Sequence, residues 1–296
     1  MFARVLFPTD FSAYANAVFD CLPELKVAGL RQVVLLAVIR PIDVPMGHLP
    51  FSREALSRVQ WSQEEQLHIA RRALEGQGVL AQTRVEYGTP AREIVRVAQE
   101  ERVDLIVMGA QGQGVVQDLL LGNTAFDVLR LSPVPVLIQK LEVVRELGHE
   151  ECRRVCQRTF ARVLHPTDFS DCARAAFNLV KRLKTAGTEE VILLHVQDER
   201  AMQHRPAGQL AEFDRQDVER LERMKRDLAL FGLPARTMLR HGLPYHETLQ
   251  VADEENACLI VLGLYGRSAL REALAGGTFE KIVRQSRRPV LVVRPG

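Results

Sequence analysis

The stretch "VLFPTDFS" at residues 5–12 returns as "VLHPTDFS" at residues 163–170, 158 positions later (163 − 5), with one change, Phe7 against His165. The match reaches further: residues 2–12 and 160–170 agree at 10 of 11 positions. The same offset sets "VVLLAV" (33–38) on "VILLHV" (191–196). An offset of 154 (241 − 87) then sets "YGTPAREIVRVAQEERVDLIVMGAQG" (87–112) on "HGLPYHETLQVADEENACLIVLGLYG" (241–266). The chain is an internal duplication, so its function is read from what both halves keep.

Each copy alternates short apolar runs with longer stretches of helical period. The spacing predicts strands near 3–8, 33–38, 82–87, 104–109 and 134–139, then 161–166, 191–196, 235–240, 258–263 and 289–293. Helices are predicted near 12–28, 51–76, 90–101 and 122–131. The strand runs are continuously apolar, as in strands buried on both faces. Such alternation argues for parallel sheets with right-handed crossovers. The segments after each second strand, 39–60 and 197–217, differ most between the copies.

At 296 residues the chain has room for two domains of about 140 residues, each with its own core. The division expected is 1–140, a connector at 141–158 rich in charge and helix formers, and 159–296. With 39 Lys plus Arg against 37 Asp plus Glu, the net charge is +2. That balance points away from nucleic-acid and membrane-surface partners. No apolar run is long enough to span a bilayer, and Pro8, Thr9 and Asp10 interrupt any leader-like core, so a cytoplasmic location is expected. Five cysteines do not suggest a disulfide framework. Cys21, Cys172 and Cys258 read as small core residues. His149, Cys152 and Cys156 fall on one face of the connector, which is read as a solvated helix rather than a metal site.

The chemistry gathers after the fourth strand. "GAQGQGVVQDLLLGNT" (109–124) and "GLYGRSALREALAGGT" (263–278) share one spacing: Gly109, Gly112, Gly122 and Gly263, Gly266, Gly276. Gly109 ends a strand, where a sharp turn often needs a positive φ. Gly112 leaves room for a phosphate or sugar against the backbone. Gly122 opens a helix, whose first amides and dipole favour an anion. The opposite wall is "PTDFS". Asp10 and Asp168 are either turn residues, sharing a capping task with Ser12 and Ser170, or carboxylates for a ribose hydroxyl or a phosphate-bound Mg²⁺. In a sheet ordered 3-2-1-4-5, strands one and four flank the crevice where ligands bind.

With these motifs the chain resembles a tandem member of the universal stress protein family, across nearly all residues outside the connector. That resemblance implies two open parallel five-stranded α/β sheets, Rossmann-like and of adenine nucleotide α-hydrolase type, with helices on both faces. It implies an adenine nucleotide (ATP, ADP or AMP), to which the carboxylate reading of Asp10 or Asp168 would add a phosphate-bound Mg²⁺, with no metal held by the protein alone. In the first copy Pro8, Thr9 and Asp10 would meet ribose or phosphate, Val38 the adenine edge, Met108 and Gly109 the sugar, and Gly112, Gly122, Asn123 and Thr124 the phosphates. In the second, the corresponding residues are Pro166, Thr167, Asp168, Val196, Leu262, Gly263, Gly266, Gly276, Gly277 and Thr278. The hydroxyl residue that the family carries straight after the third glycine is replaced by Asn123 and Gly277, with a threonine one position late. Arg267 and Arg271 occur only in the second copy, where they either hold polyphosphate or face solvent.

The family's last strands commonly pair between domains. "VPVLIQ" and "RPVLVV" would do so within this chain, giving an intramolecular pseudo-dimer, with further homodimerisation left open. Three functions follow: a stress-response regulator binding adenine nucleotides, a slow ATPase or related enzyme of the same fold, or a structural dimerisation module without ligand. No pyrophosphatase-type Ser-Gly-Gly loop or "HIGH" stretch supports the enzyme, and no catalytic residue is assigned. His165, His195 and His246 have no histidine counterparts in the first copy (Phe7, Ala37 and Arg92) and are expected to be structural.

Overall fold

The computed structural model describes residues 1–41, 53–110, 121–140, 156–202, 207–264 and 277–295. They fall into two units, Met1–Arg145 and Glu146–Gly296.

In the first unit β1 (Arg4–Pro8) leads to α1 (Ala13–Phe19), β2 (Gln32–Ile39), α2 (Arg53–Gly76) and β3 (Leu80–Tyr87). Then follow α3 (Pro90–Glu100), β4 (Leu105–Gly109), α4 (Asn123–Leu131) and β5 (Val136–Gln139). All pairings are parallel: β1 with β2 and β4, β2 with β3, and β4 with β5. The order is therefore 3-2-1-4-5. Right-handed crossovers send the helices that follow β1 and β2 to one face and those that follow β3 and β4 to the other. The apolar runs are buried as their pattern requires: Val33 to Ala37 and Leu105 to Met108 are all core.

The second unit repeats this with β6 (Arg162–Pro166), α5 (Asp171–Arg182), β7 (Glu190–Asp198), the short α6 (Glu199–Met202) and α7 (Ala207–Leu230). It continues with β8 (Ala235–Gly242), α8 (Pro244–Glu254), β9 (Leu259–Gly263), α9 (Thr278–Gln285) and β10 (Val290–Val293). β6 pairs with β7 and β9, β7 with β8, and β9 with β10, again all parallel. Among the described residues no helix is long and apolar enough to cross a membrane.

Two expectations need correction. The helix read over 12–28 stops at Phe19, and Leu22–Ala28 is a 3-10 turn with Pro23 in its first positions. Proline has no N–H for an α-helical bond and disfavours helical geometry in the residue before it. Cys172 and Cys258 are half-buried rather than core, whereas Cys21 is buried, and so is Cys156, which was expected on a solvated face.

Charged side chains tie the opposite ends of the strands. Arg4 at the start of β1 pairs with Glu101, which also takes Arg84 Nη1 at 2.8 Å. In the second copy Glu255 takes Arg236 Nη2 at 2.7 Å, and Glu190 takes Arg162 Nε at 3.0 Å. The pairs of Arg4 and Arg162 thus lie at the end where the first strand of each copy begins.

The substitution between the two repeats is visible in the core. Phe7 faces Phe19, ring centroids 6.0 Å apart, and His165 takes the same place against Phe177 at 5.8 Å. His165 is fully buried; its Nδ1 lies 2.8 Å from the Val261 carbonyl oxygen, and its Nε2 has no hydrogen-bond partner among the described residues. Burial pushes its pKa down to about 4 from 6.5. Below pH 6.5 the unfolded chain takes up a proton that the folded one refuses, so stability falls as pH drops from 6.5 towards 4. At pH 5 the loss is about 2 kcal/mol. His165→Phe should therefore stabilise the second unit and flatten its pH dependence in this window, read from urea denaturation at pH 7 and pH 5. An unchanged pH slope would contradict this.

Candidate functional site

The strand order reverses between β1 and β4, which pair through Val5 with Leu105 and Leu6 with Ile106. The carboxyl ends of β1 and β4, at Pro8 and Gly109, therefore stand side by side at the reversal of strand order, the place where sheets of this kind bind ligands. β6 and β9 repeat this through Val163 with Leu259 and Leu164 with Ile260.

The loop after β1 is built identically in both copies. Thr9 N–H donates to the Leu36 carbonyl at 2.8 Å, extending the ladder one residue past the strand. The Phe11 amide donates to Thr9 Oγ1 and the Ser12 amide to Asp10 Oδ1, both at 3.0 Å. Ser12 Oγ then caps α1 by accepting from the Ala15 amide at 3.1 Å. In the second copy Thr167 N–H meets the Leu194 carbonyl at 2.8 Å, and Thr167 Oγ1, Asp168 Oδ1 and Ser170 Oγ accept at 3.0, 3.0 and 3.2 Å. The turn role of Asp10 and Asp168 is thus present. The ribose or Mg²⁺ role concerns whatever a carboxylate so oriented can also reach.

The sequence reading passed over the phenylalanine in this loop. Phe11 has φ +57° and Phe169 φ +61°, a left-handed backbone that costs a bulky residue about 1–3 kcal/mol. Strain of this kind, kept in both copies, marks a loop whose shape matters. A bulky residue repeated inside a tight turn motif was the available signal.

The first glycine of the second triplet is required for a different reason than expected. Neither Gly109 nor Gly263 has a positive φ. A methyl group at Gly263 would instead stand 2.5 Å from the carbonyl carbon and 2.6 Å from the oxygen of Cys172. Cys172 lies in the first turn of α5, so the end of β9 and the helix capped by the Asp168 loop touch backbone to backbone. The two motifs therefore meet.

At the far end of the glycine loop, Gly122 caps α4 with extended backbone, and its amide donates to the Ala110 carbonyl at 2.7 Å. That bond closes the loop at its base and occupies the Gly122 amide. Donors for an anion would thus be the amides of Asn123, Thr124 and Ala125. No side chain caps this helix, nor α9 behind Gly277, unlike α1 and α5. Asn123 is exposed and Thr124 half-buried, and Thr278 opens α9.

Met108 pairs with Ile138 and Leu262 with Val292, inside the sheet just before the glycines. Val38 and Val196 lie in β2 and β7, paired with Glu86 and Arg240. Gly112, Gly266, Arg267, Arg271, Gly276, His149 and Cys152 lie outside the described residues. Among the described residues no group of three or more His, Cys, Asp or Glu gathers as a metal site would require.

The model of the "Universal stress protein family" matches residues 1–140 and again 159–294. A universal stress protein of Methanocaldococcus jannaschii is 33% identical over 154 residues, 46% of this chain and 95% of its own length. One of Thermus aquaticus is 34% identical over 143 residues, 47% of this chain and 98% of its own. The crystal structure of a universal stress protein from Archaeoglobus fulgidus matches with a TM-score of 0.73 at 26% identity, covering 99% of this chain and 96% of that one.

Gly263→Ala should destabilise the second unit by about 1–3 kcal/mol through its clash with the Cys172 backbone. Loss of the α5 cap in Ser170→Ala should cost about 1 kcal/mol. Urea denaturation of both variants checks this; a Gly263→Ala protein as stable as its parent would show that the contact is not tight.

Proposed function

Since the chain belongs to the universal stress protein family in two successive copies, we propose that it is a regulatory protein of the stress response that binds adenine nucleotides. ATP, ADP or AMP would sit in the crevice of each domain, 1–140 and 159–296, with residues 141–158 connecting them. The observation that carries this reading is the meeting of two motifs at the reversal of strand order. A strained Asp loop lies on one side, and a glycine-ended strand leading to a helix without a side-chain cap lies on the other. Asp10 and Asp168 would take ribose hydroxyls or a phosphate-bound Mg²⁺. The backbone ends of β2 and β7 at Val38 and Val196 would meet the adenine edge. The amides after Gly122 and Gly277 would take phosphate, since the first turn of a helix and its dipole favour negative charge.

The protein is proposed to be cytoplasmic, and any catalysis to be limited to slow hydrolysis of bound ATP. Its last strands, β5 and β10, are short and apolar, and strand edges of that kind invite pairing. We place them together in an intramolecular pseudo-dimer.

Calorimetric titration with Mg·ATP and with AMP tests the assignment. Asp168→Ala should weaken one class of site about tenfold and leave the other, and Asp10→Ala should do the converse. Unchanged binding in both variants would reduce these carboxylates to turn residues.

A further inference from the structure

The second unit holds a buried polar cluster where the first is apolar. His195 on β7 has Nδ1 2.7 Å from the Thr167 carbonyl oxygen and Nε2 3.2 Å from Asp217 Oδ2 on α7. Gln197 Nε2 donates to that same carboxylate oxygen at 3.0 Å, and Arg220 Nη1 lies 3.3 Å from Asp217 Oδ1. The Phe169 ring packs against His195 with centroids 4.7 Å apart, and the Arg220 guanidinium stands 5.3 Å from the same ring. Contacts thus run in a closed circuit from Thr167 through His195, Asp217 and Arg220 to Phe169. Thr167 and Phe169 are the two neighbours of Asp168.

In the first unit the equivalent strand positions are Ala37 and Ile39 (195 − 158 and 197 − 158), and the helix positions are Gln63 and Gln66 (217 − 154 and 220 − 154). There Ile39 packs on Ala55 with Leu56, Val59 and Val85. The loop of Asp10 has the same turn and the same strained phenylalanine, but Ala37 offers no hydrogen bond to it.

The chemistry of the circuit fixes its role. A carbonyl only accepts, so His195 Nδ1 carries a hydrogen, and the ring is held by partners at both nitrogens. With neither nitrogen open to a substrate, His195 is unsuited to shuttling protons. His195, Gln197 and Asp217 are all at most 9% exposed, and buried charged networks are costly when one partner is removed. A clamp of this rigidity offsets the backbone strain at Phe169.

We propose that His195, Asp217 and Arg220 are positioning residues that hold the Asp168 loop ready for its ligand, a support that Ala37 does not give to the Asp10 loop. This rests on the nucleotide reading of the crevice. Preorganisation removes an ordering cost from binding, so the clamp makes the second site the tighter one.

The test uses the full chain, with Mg·ATP as probe, and two substitutions at one position. His195→Leu removes both contacts. His195→Asn keeps an amide donor where Nδ1 stood and restores the bond to Thr167 alone. Hydrogen exchange is followed at the amides of Phe169 and Ser170, held by Thr167 Oγ1 and Asp168 Oδ1, and at Phe11 and Ser12 as the internal reference. His195→Leu should speed exchange at Phe169 and Ser170 at least tenfold, leave Phe11 and Ser12 unchanged, and weaken one of two Mg·ATP sites about tenfold. His195→Asn should recover most of both effects. If His195→Leu does not fold, Asp217→Asn is measured with the same expectations at reduced size. Unchanged exchange and affinity, or loosening of both loops together, would overturn the proposal. If the parent binds no Mg·ATP while only the Asp168 loop loosens, the nucleotide reading fails together with the ligand half of the proposal, and the clamp itself stands.

Discussion

The parallel sheet must reverse its order somewhere, and that reversal between β1 and β4, repeated between β6 and β9, governs the rest of the structure. A right-handed crossover can pack only on one face for each direction of travel. Once β3 is placed, the chain has to return past β1 on the other face. Two neighbouring strands, β1 and β4, then end side by side where the crossovers part to opposite faces. The sequence at those ends answers this geometry: a polar turn capped by serine on one side, a glycine and a long loop on the other. At the opposite end the first strand of each copy begins in an ion pair, Arg4 with Glu101 and Arg162 with Glu190.

Close contact carries this arrangement more than unusual dihedral angles do. Gly263 lets the first turn of α5 rest on the end of β9, and the strain is stored instead at Phe169, within the loop that caps that helix. A glycine in the phenylalanine's place would relieve the backbone and lose the ring that His195 and Arg220 hold. Rigid packing beneath a strained polar loop is the usual way a binding loop keeps one shape without ligand.

Strand positions, parallel pairing and the duplication were legible because they follow from hydrophobic period and self-similarity, which are local. Pro23 was present to be read as the end of α1, yet the apolar period of 12–28 concealed it. The reason for glycine at 263 was not legible, since it depends on the backbone of a residue 91 positions away (263 − 172). Nor was the role of His195, whose partners Thr167 and Asp217 lie 28 and 22 positions away (195 − 167 and 217 − 195). From sequence it is a histidine in an apolar strand without a counterpart. The repeat did hold a clue, because one copy pairs a polar strand position with a helical Asp where the other has Ala and Gln. Divergence between halves of a duplicated chain marks where their sites have come to differ.

The account stands on a small molecule occupying both crevices, and mass spectrometry of whatever is released on heat denaturation of the freshly purified protein tests that most directly. The account predicts an adenine nucleotide at between one and two equivalents per chain, with the second domain retaining its share longer on dialysis. Release of no nucleotide, together with no change in melting temperature on adding Mg·ATP or AMP, would contradict it and leave the glycines as packing residues of a structural module.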